Sequence, residues 1–300
     1  MLPYTSAPLS SKRSGEKTLD SFVDDGLNAD YSTLASFAEE WKRFGNFSVE
    51  EQEMIGREYF DVLPENYFSL KEGVALDVGC GSGRWSALLA TKMKFVEAVD
   101  PGEAAVVALK NLAPYENVRV TQAGFRKIPF AKDSFDLVFC VGVLHHVPDP
   151  AEALKEMFGL LKRNGRILLY VYYDLSSRSG VYRFFFHITE FFRKIISKLP
   201  IGLRFFLATM MFYLFTGPYV TKVKIYRVLF PKKKFWRRLP LGYYADKSFK
   251  NVKNDTLDRF CTPVARRFSR KEVNDMMTAA GFSSVKISDN APWWHLTAVK

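Results

Sequence analysis

Two adjacent histidines, His145 and His146, follow an apolar run at 135–142 whose composition suits a buried parallel strand. Imidazole titrates where a general base must, and α/β sheets hold ligands at the carboxyl ends of their strands. Either histidine could therefore take the proton from an acceptor hydroxyl. The plainer reading is that one or both cap the Pro-Asp-Pro turn that follows. Upstream, LDVGCGSGRW (76–85) sets Gly79, Gly81 and Gly83 between a strand-like and a helical run. Glycines there allow a tight turn and a close approach of backbone to ligand, with free N–H groups beyond. A second strand-like run ends in Asp100, where a carboxylate can accept two hydrogen bonds from a ribose diol.

The elements that must position these groups alternate along the chain. Strand-like runs at 74–79, 95–100, 118–123, 135–142 and 166–173 are separated by helical patterns at 84–93, 103–112 and 150–165, the last closing on Lys-Arg-Asn-Gly as a helix stop. A βαβ series of this kind implies a doubly wound parallel sheet. After a long interruption the pattern resumes with a helix at 269–281 and two strands around Pro292, completing seven strands. Two amphipathic helices at 30–44 and 48–63 precede the sheet and are expected to cover strand ends.

The spelling D-x-G-x-G-x-G, with Asp77 two residues before Gly79, resembles motif I of class I S-adenosylmethionine (SAM)-dependent methyltransferases. The stretch 128–169 is similar to the methyltransferase domain of ubiquinone and menaquinone biosynthetic enzymes and of many small-molecule methyltransferases, and the resemblance runs through about 72–173. It implies a Rossmann-like fold with SAM as cofactor. The backbone around Gly79, Cys80, Gly81 and Gly83 would approach the methionine part, and Asp77 would lie near its amino group. Asp100 and Pro101 would lie at the ribose, and Cys140, Val141 and Gly142 on the sulfonium side. Leu144, Tyr172 and Tyr173 would face the acceptor. Where relatives carry Gly-Asp after the third strand, this chain has Gly124-Phe125, so the adenine would be held by backbone and by the Phe125 ring instead of a carboxylate.

Cys80, Cys140 and Cys261 form no metal-ligand spacing and no disulfide framework, and His187 and His295 have no constellation around them. The chain divides into a disordered tail (1–20), an N-terminal helical lid (21–71), the methyltransferase-like domain (72–174 and 261–300) and an inserted cap (175–260). The net charge of +11 is concentrated in that insertion: 181–238 hold thirteen Lys and Arg against the single acid Glu190. An amphipathic helix with Phe184, Phe185, Ile188 and Phe192 on one stripe leads into the uncharged run 205–221 and the cluster KKKFWRR (232–238). Seventeen uncharged residues broken by Gly-Pro are marginal for spanning a bilayer, where about twenty are wanted. They suit shallow insertion into an anionic membrane surface.

Nucleic acid is not expected as a partner, because no N/D-P-P-Y/F follows the fourth strand and the charge is segregated with apolar residues. The sequence thus reads as a SAM-dependent methyltransferase acting by O- or C-methylation on a lipophilic or membrane-associated acceptor: a quinone precursor, isoprenoid, lipid or lipid-linked sugar. The expected location is cytoplasmic and peripheral on the membrane, with a mitochondrial address as the alternative suggested by the basic, Ser-rich start. The alternatives in function are a soluble small-molecule or sugar methyltransferase and a non-catalytic SAM-binding scaffold of a membrane complex.

Overall fold

The computed structural model describes all residues of the chain except 24–27, 46–47, 70, 177, 232–234, 237–238 and 293. The basic cluster Lys232, Lys233, Lys234, Arg237 and Arg238 therefore lies outside the described residues. The chain divides into two compact units, Met1–Asp174 with Val264–Lys300, and Leu175–Pro263.

The first unit is built on one sheet of nine strands: β1 (Ser10–Ser14), β2 (Lys17–Ser21), β3 (Val74–Val78), β4 (Phe95–Asp100), β5 (Val118–Gln122), β6 (Phe135–Val141), β7 (Leu161–Tyr170), β8 (Ser283–Ile287) and β9 (His295–Val299). Their spatial order is β1-β2-β5-β4-β3-β6-β7-β9-β8. The run from β5 to β7 is parallel, and β9 and β8 close the sheet antiparallel. This is the doubly wound sheet expected from the sequence, its order reversing between β3 and β6, where such sheets open a crevice at their carboxyl ends. Its strands are apolar because both faces are covered: Leu76, Val78, Val99 and Val138 lie in one buried cluster, and Ala75, Val96, Ala98 and Phe139 in the other.

Two readings of the sequence are corrected here. The first twenty residues are not a disordered tail. They form the hairpin β1–β2, which pairs in parallel with β5 through Asp20 and Ser21, and Leu2 donates its N–H to Glu97 Oε1. The expected helix stop at Lys162-Arg163-Asn164-Gly165 also lies elsewhere: helix α5 (Pro150–Leu160) runs directly into β7, whose positive-φ Asn164 accompanies a register shift against β6.

Helices α1 (Tyr31–Phe44) and α2 (Val49–Phe60) each begin at a side-chain cap, Asp30 on Thr33 N–H and Ser48 on Glu51 N–H. The remaining helices of this unit are α3 (Arg84–Ala90) and α4 (Ala104–Asn111), with the last, after the insertion, at Arg270–Ala279.

The second unit is helical: α6 (Gly180–Ile196), α7 (Ile201–Met211), a π-turn (Phe212–Thr216), α8 (Gly217–Leu229) and α9 (Phe249–Cys261); the C-terminal helix Arg270–Ala279 is accordingly α10. Gly217-Pro218 does not interrupt the apolar segment, as the sequence suggested. The wide π-turn already departs from the i→i−4 ladder, so the N–H that proline lacks falls where it is tolerated, and Ile201–Leu229 is one helix of 29 residues. By length and composition it is, among the described residues, a helix able to cross a membrane, with 22% of its apolar window buried.

Candidate active site

The glycine turn after β3 adopts left-handed backbone at all three positions, with φ of +72° at Gly79, +56° at Gly81 and +82° at Gly83. Two amides at its start, Gly79 N–H and Cys80 N–H, donate to Val99 O at 2.7 and 3.0 Å and lock the turn to the neighbouring strand β4. There is no room for a side chain. A Cβ on Gly79 would stand 2.5 Å from Val143 Cγ2, and one on Gly81 would stand 2.8 Å from Trp41 Nε1.

Asp100 ends β4 and reaches back to the turn. Its Oδ2 accepts from Gly81 N–H at 3.0 Å and its Oδ1 from Gly102 N–H at 2.8 Å. Burial pushes its pKa up to about 6, against the pull of those two amides. Asp77 lies inside β3 and accepts from Ser86 Oγ at 2.6 Å; burial raises it to about 7, aided by the charge of Asp100 and opposed by the Ser86 bond. At the end of β6, Gly142 has φ +81° and open space where a Cβ would be. Cys140 and Cys80 are fully buried thiols whose pKa values rise with burial.

Helix α1 lies across these strand ends, as its expected position implied. Leu34 approaches Gly102 after β4, Phe37 sets its ring 5.0 Å from that of His146 after β6, and Trp41 abuts Gly81 after β3. Arg84 stacks between Trp41 and Trp85, its Cζ 5.3 and 5.2 Å from the two rings. The sequence reading did not single out Phe37, Trp41 or Arg84. The signal was there as a stripe at 34, 37 and 41.

His145 and His146 occupy a short 3-10 turn after β6 and are both buried. His146 has a defined partner, Nδ1 standing 2.5 Å from Val264 O. His145 is completely buried, with neither ring nitrogen hydrogen-bonded among the described residues. Its ring stacks on Tyr172 at 3.7 Å and meets His146 at 4.1 Å and Tyr170 at 6.1 Å. Burial, then the nearby His146 and Arg267, hold its pKa well below the usual imidazole range. It is a neutral, desolvated base.

The expected acceptor residues do not all converge. Tyr172 joins the histidines, whereas Tyr173, on the other face of the chain by strand alternation, packs beside Trp294 and bridges to Phe268. Leu144 and Phe125 are buried in the apolar core, so the Phe125 ring is not displayed at the surface of the crevice. Gly124 precedes it in extended conformation.

The family described as a methyltransferase domain matches residues 76–169, the segment that contains the glycine turn, Asp100 and both histidines. This chain carries a class I SAM-dependent methyltransferase domain. A ubiquinone biosynthesis O-methyltransferase of Pseudomonas fluorescens is 28% identical over 181 residues, 57% of this chain and 74% of that protein. A tRNA U34 carboxymethyltransferase of Helicobacter pylori is 34% identical over 117 residues, 36% of this chain and 43% of that one. Among solved structures, a SAM-dependent methyltransferase from Methanococcus maripaludis superposes with a TM-score of 0.48 at 18% identity, covering 93% of this chain and 96% of its own. The chain spans less than half of the Helicobacter relative, and 45% of a second ubiquinone O-methyltransferase, from Coxiella burnetii.

The residues of the methyltransferase domain fit SAM. The left-handed turn offers bare backbone, the carboxylate of Asp100 stands at the adjoining strand end, and the space at Gly142 opens beside them. When bound, the cofactor supplies an electrophilic methyl group on a sulfonium.

His295, expected to lack partners, is the centre of a clasp between α2 and the β8–β9 edge of the domain. Its Nε2 stands 2.6 Å from Asp61 Oδ1, its Nδ1 contacts Pro292 O, and Asp61 Oδ2 accepts from Ser288 Oγ and Asn290 Nδ2 at 2.9 Å each. Burial opposes ionisation of Asp61, but the bonds from Asn290, His295 and Ser288 outweigh it and hold the carboxyl below its ordinary value. Asp61→Asn is expected to cost about 1–3 kcal/mol, because the amide keeps one acceptor oxygen but loses the charge and the second acceptor that Ser288, Asn290 and His295 share. Because the folded pKa is depressed, this contribution is present above the unfolded value and fades as pH falls through the folded one. Thermal melts of the two proteins should therefore differ at pH 7 and converge in acid. An equal difference at both pH values would show that the Asp61 charge plays no part.

Proposed function

We propose that the protein transfers a methyl group from SAM to a hydroxyl of a lipophilic small-molecule acceptor such as a quinone precursor, isoprenoid or other lipid, with His145 taking the hydroxyl proton. The observation that carries this reading is His145 itself: buried, neutral and without a hydrogen-bond partner among the described residues, within a wall of Tyr170, Tyr172 and His146. A buried polar atom left without a partner costs about 1–3 kcal/mol, and such an atom at a strand's carboxyl end is explained by a substrate that completes it. An acceptor hydroxyl would do so, its proton moving to the imidazole as its oxygen gains the methyl group. The aromatic surroundings favour an apolar acceptor over a sugar, which would leave its own hydroxyls unpaired there. The ubiquinone O-methyltransferase relatives support both the oxygen as acceptor atom and the lipophilic class.

Asp100, Asp77 and the turn at Gly79, Gly81 and Gly83 would hold the cofactor. Tyr172, stacked flat on His145, would keep the imidazole plane fixed toward the acceptor. The test is to incubate protein and SAM with prenylated phenols and catechols in detergent, and in parallel with free sugars and nucleotide sugars. S-adenosylhomocysteine and methylated product are followed by mass spectrometry. Turnover with the prenylated hydroxyl compounds alone is expected. Turnover only with the polar set would replace this reading by the soluble sugar methyltransferase, and SAM binding without turnover on any acceptor by the scaffold.

A further inference from the structure

We infer that the unit Leu175–Pro263 carries a membrane-docking surface that lies flat in the headgroup region of an anionic bilayer. The surface is formed by the outward faces of α6 and of the Ile201–Leu229 helix. This deepens the proposed lipophilic acceptor by naming where that acceptor is met, though its geometry does not depend on that reading.

Helix α6 is inverted relative to an ordinary surface helix. Advancing about 100° per residue, Phe184, Phe185, Ile188, Phe191, Phe192 and Ile195 fall on one sector, and all six are exposed, Phe184 by 63%. The opposite sector is turned inward and mixes the polar Thr189, Glu190 and Arg193 with Phe186 and Ile196. Arg193 is 6% exposed and donates to Glu190 Oε1 at 2.8 and 2.6 Å, to Thr262 O at 2.9 Å and to Pro263 O at 3.1 Å. Arg259 donates to Thr189 Oγ1 at 2.8 Å and stacks 4.3 Å from the Phe186 ring.

The long helix repeats the pattern. Phe205, Ala208, Phe212, Val220 and Val223 are buried, while Phe206, Tyr213, Leu214, Phe215, Val228 and Leu229 face out, each at least 59% exposed. A soluble protein exposes single apolar side chains; a contiguous array of this kind marks a surface that something apolar covers.

Charge selects the partner. Arg183, His187 and Lys194 border the aromatic sector of α6 on one edge, and Lys198 and Lys222 are also exposed. With +12 over 181–238, a second copy or another basic protein would be repelled, and an anionic lipid surface is the complementary one.

The orientation follows from α9. Lys253 Nζ stands 3.5 Å from Tyr213 Oη and 5.0 Å from its ring, near the middle of the apolar helix. Lys224 and Arg227 donate to Lys247 O and Ala245 O at 2.5 and 2.9 Å, and Tyr244 to Asp255 at 2.8 Å. Spanning would carry α9 and its charges into the hydrocarbon centre, at a cost the 17 uncharged residues, about 26 Å long, could not offset. Lying flat leaves α9 in water and the aromatic faces in the bilayer boundary.

The test uses the full chain with vesicles of phosphatidylcholine alone or mixed with phosphatidylglycerol, read by flotation. Binding to the anionic vesicles is expected, weakened by about fivefold for each charge removed in Arg183→Gln, Lys194→Gln and Lys198→Gln at low salt. The triple variant Phe184→Ser/Phe185→Ser/Phe191→Ser, whose side chains are already exposed and whose melting temperature should be unchanged, is expected to lose at least about tenfold. A tryptophan at Phe215→Trp should be quenched by lipids brominated near the headgroup. Deep quenching would overturn the flat orientation. Failure to float, or self-association abolished by the same phenylalanine triple, would overturn the membrane as partner. Methylation of a detergent-solubilised acceptor by the triple variant reads out the proposed activity separately.

Discussion

Asp100→Asn is expected to lower the affinity for SAM about a hundredfold while leaving the melting temperature of the cofactor-free protein unchanged or raised. The first half follows from losing charge-assisted hydrogen bonds to the ribose diol, each worth about 1.5–3 kcal/mol. The second follows from the sign of the pKa shift. Burial raises Asp100 to about 6, so its contribution to stability is complete below the unfolded carboxyl value and is lost as pH rises through 6. At pH 8 the folded protein therefore carries a desolvated charge, compensated among the described residues by the pair of amides from Gly81 and Gly102. Asp77, raised to about 7, adds to the same strain. A cationic ligand relieves it, so the rise in melting temperature on adding SAM should be larger at pH 8 than at pH 5.5 and smaller in the variant. Calorimetric titration at both pH values measures the first half; an affinity within about threefold of the parent would remove Asp100 from the ribose site.

His145→Phe should separate function from stability in the opposite sense to most core substitutions. A general base contributes about a hundredfold to ten-thousandfold, so turnover should fall by that range with SAM affinity intact. Replacing an imidazole whose two nitrogens find no partner among the described residues with a ring of similar shape, stacked on Tyr172, should also raise the melting temperature. For the parent enzyme, burial keeps His145 neutral across the working range, so kcat/KM should show no histidine limb between about pH 6 and 8. Retained turnover would transfer the proton-accepting role elsewhere. A fall in activity with a fall in stability would reduce His145 to a packing residue.

The five central strands were legible because a parallel strand covered on both faces is written as an uninterrupted apolar run, as in VALDV and FDLVFCV. The added hairpin was not. SSKRS and KTLDS are polar, β1 is exposed along its whole length, and their register is held mainly by backbone pairing that no side-chain pattern records. The backbone of the glycine turn and the place of Asp100 at the end of β4 could be read because both are local. The isolation of His145, the clasp at Asp61 and His295, and the seat of Trp41 on Gly81 could not, since each depends on residues far apart in the chain. In the insertion the periodicity of α6 was plain in the sequence, but the direction it faces was not. An amphipathic stripe has the same spelling whether its apolar side turns in or out; the exposed Phe184, Phe185 and Phe191 and the buried Arg193 distinguish them.

The two ends of the insertion leave the sheet domain side by side: Tyr173 bridges to Phe268, Asp174 N–H donates to Phe268 O at 2.8 Å and Phe268 N–H to Tyr172 O at 2.9 Å. A detour of 89 residues whose ends are already pinned together costs the sheet only about 4 kcal/mol of closure entropy, a sum that grows logarithmically with length. The methyltransferase scaffold is thus indifferent to what is threaded through this gate. Different attachments could be exchanged there over evolutionary time, or by an engineer, without altering a strand.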